Sequence, residues 1–394
     1  MKHTLLDNEL VIFIDGIINS TNADEVSKNI EAIRAENAHD SLKVDLEGLT
    51  YLSSAGLRIF LTLRKAEPSL EVINVTNEVY EIFQMTGFTE IIPVKKAMKV
   101  VSIEGKEMIG EGYMGRVYRM DVDTIIKVNY RDNFLSEVDR ERQLAKKAFV
   151  LGVPTAISFD VVKVKEGGYG TMFELLKSNS LQGLINEHPD QFDKYLDIYN
   201  DLIKKIHEAE DLSRTLPSKK EEALDWVNYL RDKNVYTQEE LDKLEQLIKD
   251  IPDDLNIVHG DYHIKNVMMQ GDEALLIDMD TIGYGNIVFE FVAMYLSYYG
   301  YPSTDPGNLQ RFLGISDEQG VRLFDETLTR FMGYKTEEEL NVAKDKLACL
   351  GYMWLTYKTL RWDPDDLVRL NHAVQVCKSL VFKIDNLILW CLNF

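Results

Sequence analysis

The chain has 394 residues, 45% hydrophobic and 28% charged, with 44 basic against 65 acidic side chains and a formal charge of −21. That length allows two or three domains with buried cores, while the acidity argues against nucleic-acid or anionic-membrane partners, which need clustered Lys and Arg. No apolar run approaches the roughly 20 residues of a membrane-spanning helix. An acidic surface suits cationic small substrates as well as plain solubility. The opening MKHTLLDNELVIFIDG carries acids inside its apolar stretch and no small-residue cleavage site, so no secretory signal is expected. Cys349, Cys377 and Cys391 lack metal spacing and any disulfide framework, which fits a reducing cytoplasm.

Residues 9–18, ELVIFIDGII, predict an apolar strand ended by Gly16 and the polar run 19–22. Ala23 to Ala38 place Ala23, Val26, Ile30 and Ile33 on one helical face. A strand is expected at 42–46, then the turn YLSSAG at 51–56 leading into the apolar helix LRIFLTLRKA. The strand LEVINV and the helix NEVYEIFQMTG follow, with Gly87 as a C-cap. Alternating strands and helices describe a small α/β layer domain. The early strand with its glycine, VDLEGLTYLSSAGLRI at 44–59 and VINVTNEVYEIFQMTGFTEIIPV at 72–94, resembles the STAS domain of anti-sigma factor antagonists over about the first 98 positions. The resemblance implies a regulatory module with a protein partner. Laying the family's glycine on Gly56 puts its phosphorylated serine at Ser54, at a helix N-terminus, where free N–H groups favour a phosphate. The sequence departs from the pattern at Ser53 and at Asn19, where the family often has acids, and a plain capping role for Ser53 or Ser54 is the competing reading.

Residues 95–107 are charged and fit either a linker or the first strand of the next domain. Residues 109–118, IGEGYMGRVY, fill G-x-G-x-x-G-x-V with Gly110, Gly112, Gly115 and Val117. Glycines let backbone approach phosphates, and the following RVYRMDVDTIIKV reads as a turn between two strands. A Rossmann site wants a helix there, so the pattern favours a kinase loop folded over ATP. Lys127 lies twelve residues past Gly115 on the second strand, where a kinase places its phosphate-binding lysine. Its expected partner is an acid on the next helix, Glu137, Asp139 or Glu141; the local V-D-R-E-R resembles aminoglycoside phosphotransferases and selects Glu141. The strand YGTMFELL at 169–176, closed by KSNS, would join two lobes and present backbone near Phe173, Glu174 and Leu175 to adenine.

The densest signal is IVHGDYHIKNVMM at 257–269, which matches H-G-D-x-x-x-x-N. Asp261 is expected to orient or deprotonate an acceptor hydroxyl, and Asn266 to bind Mg²⁺, which takes hard oxygen ligands. His259 is expected to organise the loop by hydrogen bonding. ALLIDMDTIGYGN then brings Asp278 as second magnesium ligand, with Asp280 either assisting or forming a turn. Glycine loop, strand lysine, helix glutamate, H-G-D…N and strand aspartate, in that order, are similar to the aminoglycoside phosphotransferase and choline kinase group from about residue 100 onward. Ordinary protein kinases carry H-R-D with a lysine two residues on, and here that position is His263. The expected fold is therefore an α/β STAS domain (a mixed sheet with helices), then an α+β bilobal protein-kinase-like domain. The expected boundaries are 1–98, 99–176 for the first lobe and 177–394 for a mainly helical second lobe.

The aromatic-rich stretches VFEFVAMYLSYYGY, VRLFDETLTRFMGY, LACLGYMWLTYKTLRW and SLVFKIDNLILWCLNF, with the helices at 189–249, are expected to form that second lobe and shape an acceptor pocket. In the related enzymes acids there bind cationic substrates; Asp253, Asp254, Asp363, Asp365 and Asp366 are candidates among which the sequence does not choose. Three functions follow. The first is an ATP- and magnesium-dependent phosphotransferase with a small-molecule hydroxyl acceptor. The second is a kinase acting on the STAS serine in cis or in another chain. The third, a nucleotide-binding scaffold, is disfavoured by the presence of Lys127, Asp261, Asn266 and Asp278 together.

Overall fold

The computed structural model describes residues 1–112, 115–129, 135–176 and 179–389. The chain divides into two compact units, Met1–Ser102 and Ile103–Phe394.

In the first unit the strands Lys2–Leu6, Glu9–Phe13, Ser41–Asp45, Glu71–Val75 and Val94–Lys96 lie side by side in that order. The first pair is antiparallel and the others parallel, so the sheet is mixed. Asp7 and Asn8 both take positive φ (50° and 62°), as a two-residue hairpin with the right twist requires. Leu10 and Ile12 alternate with half-exposed neighbours and meet Leu42, Val44, Val72 and Val75, all fully buried. Helices Ala23–Glu36, Ser54–Ala66 and Asn77–Met85 complete the layers, and Phe60 meets Phe83 edge to face at 5.3 Å.

Two expectations are corrected here. The apolar run 9–18 is two strands: Glu9–Phe13 stays in the main sheet, and Gly16–Ile18 turns away to pair with Leu49–Leu52. Gly16 thus opens the second strand and does not close the first. The strand Lys2–Leu6 was not anticipated, because an edge strand with every residue exposed shows no apolar alternation. Val94–Lys96, at the start of the charged stretch, belongs to this first sheet. Gly87, in the left-handed conformation after Thr86, ends its helix as the sequence suggests.

In the second unit the antiparallel strands Ser158–Val164, Tyr169–Glu174, Thr124–Asn129, Gly115–Arg119 and Met108–Glu111 neighbour one another in that order. Helix Leu135–Val150 packs on this sheet, and its buried Leu144, Ala145 and Ala148 join the hydrophobic core of the second lobe. The second lobe is helical: Phe192–His207, Lys219–Arg231, Gln238–Lys249, Val288–Tyr295, Asp317–Met332, Glu337–Trp362 and Leu367–Leu380. One hairpin, Val267–Gln270 with Glu273–Leu276, carries the loop that follows it toward the sheet lobe. Residues 381–389 of the apolar C-terminal run are not helical. Helix Leu367–Leu380 stops, Asn386 Oδ1 accepts the Ile388 amide in a local turn, and Lys346 donates to the Ile388 carbonyl, which fixes an irregular path.

Candidate active site

The glycine loop joins Met108–Glu111 to Gly115–Arg119, and the Gly112 amide donates to the Gly115 carbonyl at 2.9 Å. Its tip, Tyr113 and Met114, lies outside the described residues, as do Lys177 and Ser178 after the lobe-joining strand and Cys391 near the end. Gly115 is fixed by packing: a Cβ there would stand 2.1 Å from the Val128 carbonyl oxygen. Gly112 has open space around it, which leaves room for an approaching ligand.

Register then sets the lysine. Lys127 faces Val117 on one side and Thr171 on the other. Its ammonium donates to Glu141 Oε1 at 2.7 Å and to Asp278 Oδ1 at 2.6 Å. Of the three acids on helix Leu135–Val150, Glu141 is the one that meets Lys127. Asp139 is taken by Arg142 and Gln143, and Glu137 is exposed. Burial works against the charge on Lys127, and Asp278 and Glu141 more than reverse this, so its pKa stands above the ordinary lysine value. Burial pushes Glu141 up, with Lys127 pulling against it.

Asp278 adopts φ 69°, ψ 66°, a left-handed conformation that costs a non-glycine residue about 1–2 kcal/mol. The turn re-aims its carboxylate out of the hairpin and onto Lys127. Asp280 sits close behind. Burial first, then the charge of Asp278, pushes its pKa up to about 8.

The loop after strand Ile257–Val258 is held from below. Glu290, fully buried on helix Val288–Tyr295, accepts the amides of His259 at 2.6 Å and Gly260 at 2.9 Å. Gly260 has φ +80°, and a Cβ would lie 2.8 Å from the Thr281 carbonyl, so only glycine fits. The His259 ring accepts the Asp261 amide at Nδ1 (3.3 Å), so its Nε2 donates to the Ile277 carbonyl at 3.2 Å. That is the loop-organising role its sequence context suggests. Thr281 Oγ1 donates to the His259 carbonyl, and the Ile277 amide to the Asn266 carbonyl, stitching this loop to the Asp278 segment. Underneath, Tyr262 and Tyr199 exchange hydroxyl-to-carbonyl bonds at 2.6 and 3.0 Å, and Tyr298 joins them at 3.3 Å.

Asp261 thus stands on a fixed backbone. Asn266 Nδ2 donates to its carbonyl at 3.0 Å and reaches its Oδ2 at 3.4 Å. His263 Nε2 lies 3.6 Å from the same Oδ2. Burial works against the charge on Asp261, yet His263, with Lys358 and His259 beyond it, holds its pKa below the ordinary aspartate range. The carboxylate therefore stays ionised and can accept a proton or a hydrogen bond.

The lobe-joining strand departs from expectation in detail. The Glu174 amide donates to the Ile157 carbonyl (3.0 Å) and the Leu175 amide to the Asp123 carbonyl (2.7 Å), while Phe173 is paired in the sheet with Ile125 and Ser158. The amide of Leu176, which donates to no described residue, is the donor left over in this stretch. Sequence reasoning also missed Glu290 and Lys358. The first had a signal, as the one acid in the apolar run VFEFVAM.

In the first unit, the capping role that the sequence left open between Ser53 and Ser54 falls to Ser53. Ser53 Oγ accepts the Gly56 amide at 3.4 Å as N-cap, and Ser54, the first helical residue, is exposed. Asn19 builds the preceding turn: its side chain accepts the Thr21 amide, and its amide donates to Asn22.

Two family models match the chain: a phosphotransferase enzyme family (APH) over residues 109–324 and the STAS domain over residues 3–100. An anti-sigma factor antagonist, BtrV, of Bordetella bronchiseptica is 31% identical over 108 residues, 26% of this chain and 92% of the relative. The anti-sigma-B factor antagonist of Listeria monocytogenes is 27% identical over 88 residues, 21% of this chain and 76% of the relative. Among solved structures, a thermostable mutant of aminoglycoside phosphotransferase APH(4)-Ia aligns at 17% identity over 71% of this chain and 97% of its own, TM-score 0.46. The gentamicin complex of APH(2")-IIa aligns at 15% identity over 79% and 98%, TM-score 0.45. With more than half of its length matched by the one model and its first hundred residues by the other, the chain belongs to the phosphotransferase enzyme family and carries an N-terminal STAS domain of the anti-sigma factor antagonist kind.

Proposed function

We propose that the Ile103–Phe394 unit transfers the γ-phosphoryl group of ATP to a hydroxyl of a small-molecule acceptor, and that the STAS unit regulates it or docks it to a protein partner. The observation that carries this reading is the meeting of Lys127 with Glu141 and Asp278 at 2.7 and 2.6 Å, from segments up to 151 residues apart. Such a lysine, held charged, is poised to neutralise nucleotide phosphates beneath the glycine loop of Gly110, Gly112 and Gly115. Asp261 takes the proton of the acceptor hydroxyl, its carboxylate kept ionised and oriented by Asn266 and His263. The backbone of the lobe-joining strand near Phe173, Glu174 and Leu175, ending in the Leu176 amide, lies along the adenine.

Asn266 and Asp278 fit a magnesium ion. The Asn266 side-chain nitrogen is committed to Asp261, and its side-chain oxygen Oδ1 accepts no bond among the described residues. Asp278 commits one oxygen to Lys127 and keeps the other. These are hard oxygen donors beside a crowd of carboxylates, the chemistry Mg²⁺ selects. When bound, the ion supplies positive charge to the phosphates.

A second reading takes Ser54 as the acceptor, in cis or in another chain. What favours it is that capping is done by Ser53, which leaves the Ser54 hydroxyl exposed at a helix N-terminus. Among the described residues no helix is long and apolar enough to cross a membrane, and Cys349 and Cys377 are buried free thiols; we place the protein in the cytoplasm.

Incubation with magnesium and labelled ATP, then intact mass and phosphopeptide mapping, tests both readings, with Asp261→Asn as control. Phosphate on Ser54 that vanishes in the control supports the second reading. An unmodified protein that turns over ATP only with an added hydroxyl metabolite supports the first. Turnover undiminished in Asp261→Asn refutes both, and ATP binding without any turnover leaves a scaffold.

A further inference from the structure

Lys219 opens helix Lys219–Arg231, and only 7% of it is exposed. A cation in the first turn sits at the positive end of the helix dipole, so nothing in the helix itself calls for it there. Its neighbour Lys220 turns outward, donating to the Ile251 carbonyl at 2.7 Å and to Asp253 at 2.9 Å. Lys219 turns inward, along a file of three glycines. A Cβ on Gly285 would lie 3.2 Å from Lys219 Cβ, one on Gly283 2.7 Å from its Cε, and one on Gly260 3.3 Å from its Nζ. The backbone keeps the two segments together, since the Tyr284 amide donates to the Pro217 carbonyl at 2.9 Å. The stem of Lys219 therefore lies where side chains at these three positions would stand, and its ammonium ends against Gly260, one residue before Asp261.

Gly260 is also the residue that Glu290 holds. Its amide and that of His259 donate to the buried carboxylate at 2.9 and 2.6 Å, so a cation and an anion meet the same glycine. Burial pushes Glu290 toward its neutral form, and His259, the two loop amides and Lys219 pull the other way. Besides these, Tyr199 and Tyr262 face the carboxylate from beneath. The His259 ring has one nitrogen accepting and one donating, and the tyrosines bring no positive charge, which leaves Lys219 as the cation among them. A protonated carboxyl turns one acceptor into an O–H donor and no longer serves both amides. The pair that Lys219 makes with Glu222, at 2.8 Å and three residues along its own helix, asks for neither burial nor glycines.

We propose that Lys219 is a positioning residue for Asp261: brought against Gly260 along the file of glycines, its charge keeps Glu290 a double acceptor and so fixes the backbone on which Asp261 stands. The catalytic consequence rests on the phosphotransferase reading; the hold on the loop does not. Lys219 acts on the reaction through Glu290 and Gly260 and exchanges no proton with the substrates.

The test is hydrogen exchange of the full chain, free of nucleotide and magnesium, followed in the peptide spanning 257–266, beside phosphate release from Mg·ATP and titration with Mg·ADP. Lys219→Met should speed exchange of that peptide at least about tenfold, the loss of a charged support for two buried bonds. Phosphate release should fall at least about tenfold, while ADP affinity stays within about twofold, because Lys127 and the glycine loop lie on the other lobe. Protection of the peptide should also fail at a pH about one unit higher than in wild type, since Glu290 without the lysine takes up its proton sooner as pH falls. In a Glu290→Gln background Lys219→Met should add less than about twofold, because the group it acts through is already gone. Glu222→Gln, which removes only the partner on the helix, should leave the peptide protected. If Lys219→Met does not fold, Lys219→Gln goes through the same measurements. Unchanged exchange, an unmoved pH of protection, Glu222→Gln matching Lys219→Met, or a full effect that persists in Glu290→Gln overturns the proposal while leaving the phosphotransferase reading intact. Wild-type protein that binds no nucleotide overturns that reading, and the exchange results then still decide whether Lys219 holds the loop.

Discussion

The buried carboxylate of Glu290 gives the most direct test of how the Asp261 loop is held. It accepts two backbone amides, of His259 and Gly260, and the second is adjacent to Asp261. Glu290→Gln preserves shape but replaces one acceptor oxygen by an NH₂ group, so one of the two buried amides faces a donor. An unsatisfied buried amide costs about 1–3 kcal/mol. A loss of about 2 kcal/mol corresponds to a fall of about 3 °C in the melting of a unit this size. The amide that loses its partner is free to shift, and a displacement of Asp261 on the order of 1 Å costs turnover up to about a hundredfold. Nucleotide affinity should change little, because Lys127 and the glycine loop sit on the other lobe. The assay is differential scanning calorimetry beside phosphate release from Mg·ATP and ADP titration. A Glu290→Gln protein that melts like wild type and turns over at the wild-type rate would show that the two amides do not depend on the carboxylate. Equal loss of ADP affinity would show that the effect is not confined to the loop.

Lys127→Met leaves Glu141 and Asp278 facing each other without their shared cation, and turnover should drop by about a hundredfold or more, as for removal of a preorganised charge donor; phosphate release measures it. Asp280 supplies a pH signature in magnesium-free buffer. Its folded-state pKa is raised from 3.8 to about 8, first by burial and next by Asp278. A raised pKa means that the stabilising contribution is complete below the unfolded value and is lost as pH climbs through the folded one. Wild-type melting should therefore decline relative to Asp280→Asn between about pH 4 and pH 8, and parallel curves for the two proteins would refute the assignment. In the first unit, Ser53→Ala removes a long 3.4 Å cap bond and should cost about 0.5 kcal/mol, the low end for N-caps. Ser54→Ala should leave melting unchanged, since that side chain caps nothing.

Much of the site was readable because its chemistry is written in short local motifs. The glycine loop needs three residues within six, and Asp261 with Asn266 is a spacing inside one loop. What could not be read depends on partners distant in sequence. Which amides of the lobe-joining strand are spent is decided by Ile157 and Asp123, brought alongside by the sheet. Lys358 sits in KTLRW, where a helical lysine ordinarily faces solvent, and only its seat over the ring of Trp354, on which Trp226 stacks, sets it apart. The same logic explains two errors of element. Lys2–Leu6 has no buried side chain to create a period, and residues 381–389 are apolar enough for a helix but are held irregular by the Asn386 turn and the reach of Lys346.

The charges of the site can then be weighed together. Glu141, Asp261, Asp278 and Asp280 influence one another and two lysines, Lys127 in contact with its carboxylates and Lys358 with none in contact among the described residues. With every group ionised the balance is two negative charges, and the protein relieves it by pushing Asp280 toward its neutral form. A nucleotide brings still more negative charge into this low-dielectric space, where repulsion is far stronger than in water. In the proposed reading, a divalent cation held by Asn266 and Asp278 would offset the excess carboxylates and leave Lys127 to act on the phosphates. On that reading the perturbed aspartate and the spare side-chain oxygen of Asn266 are two consequences of one condition: a site balanced for metal and phosphate together and for neither alone.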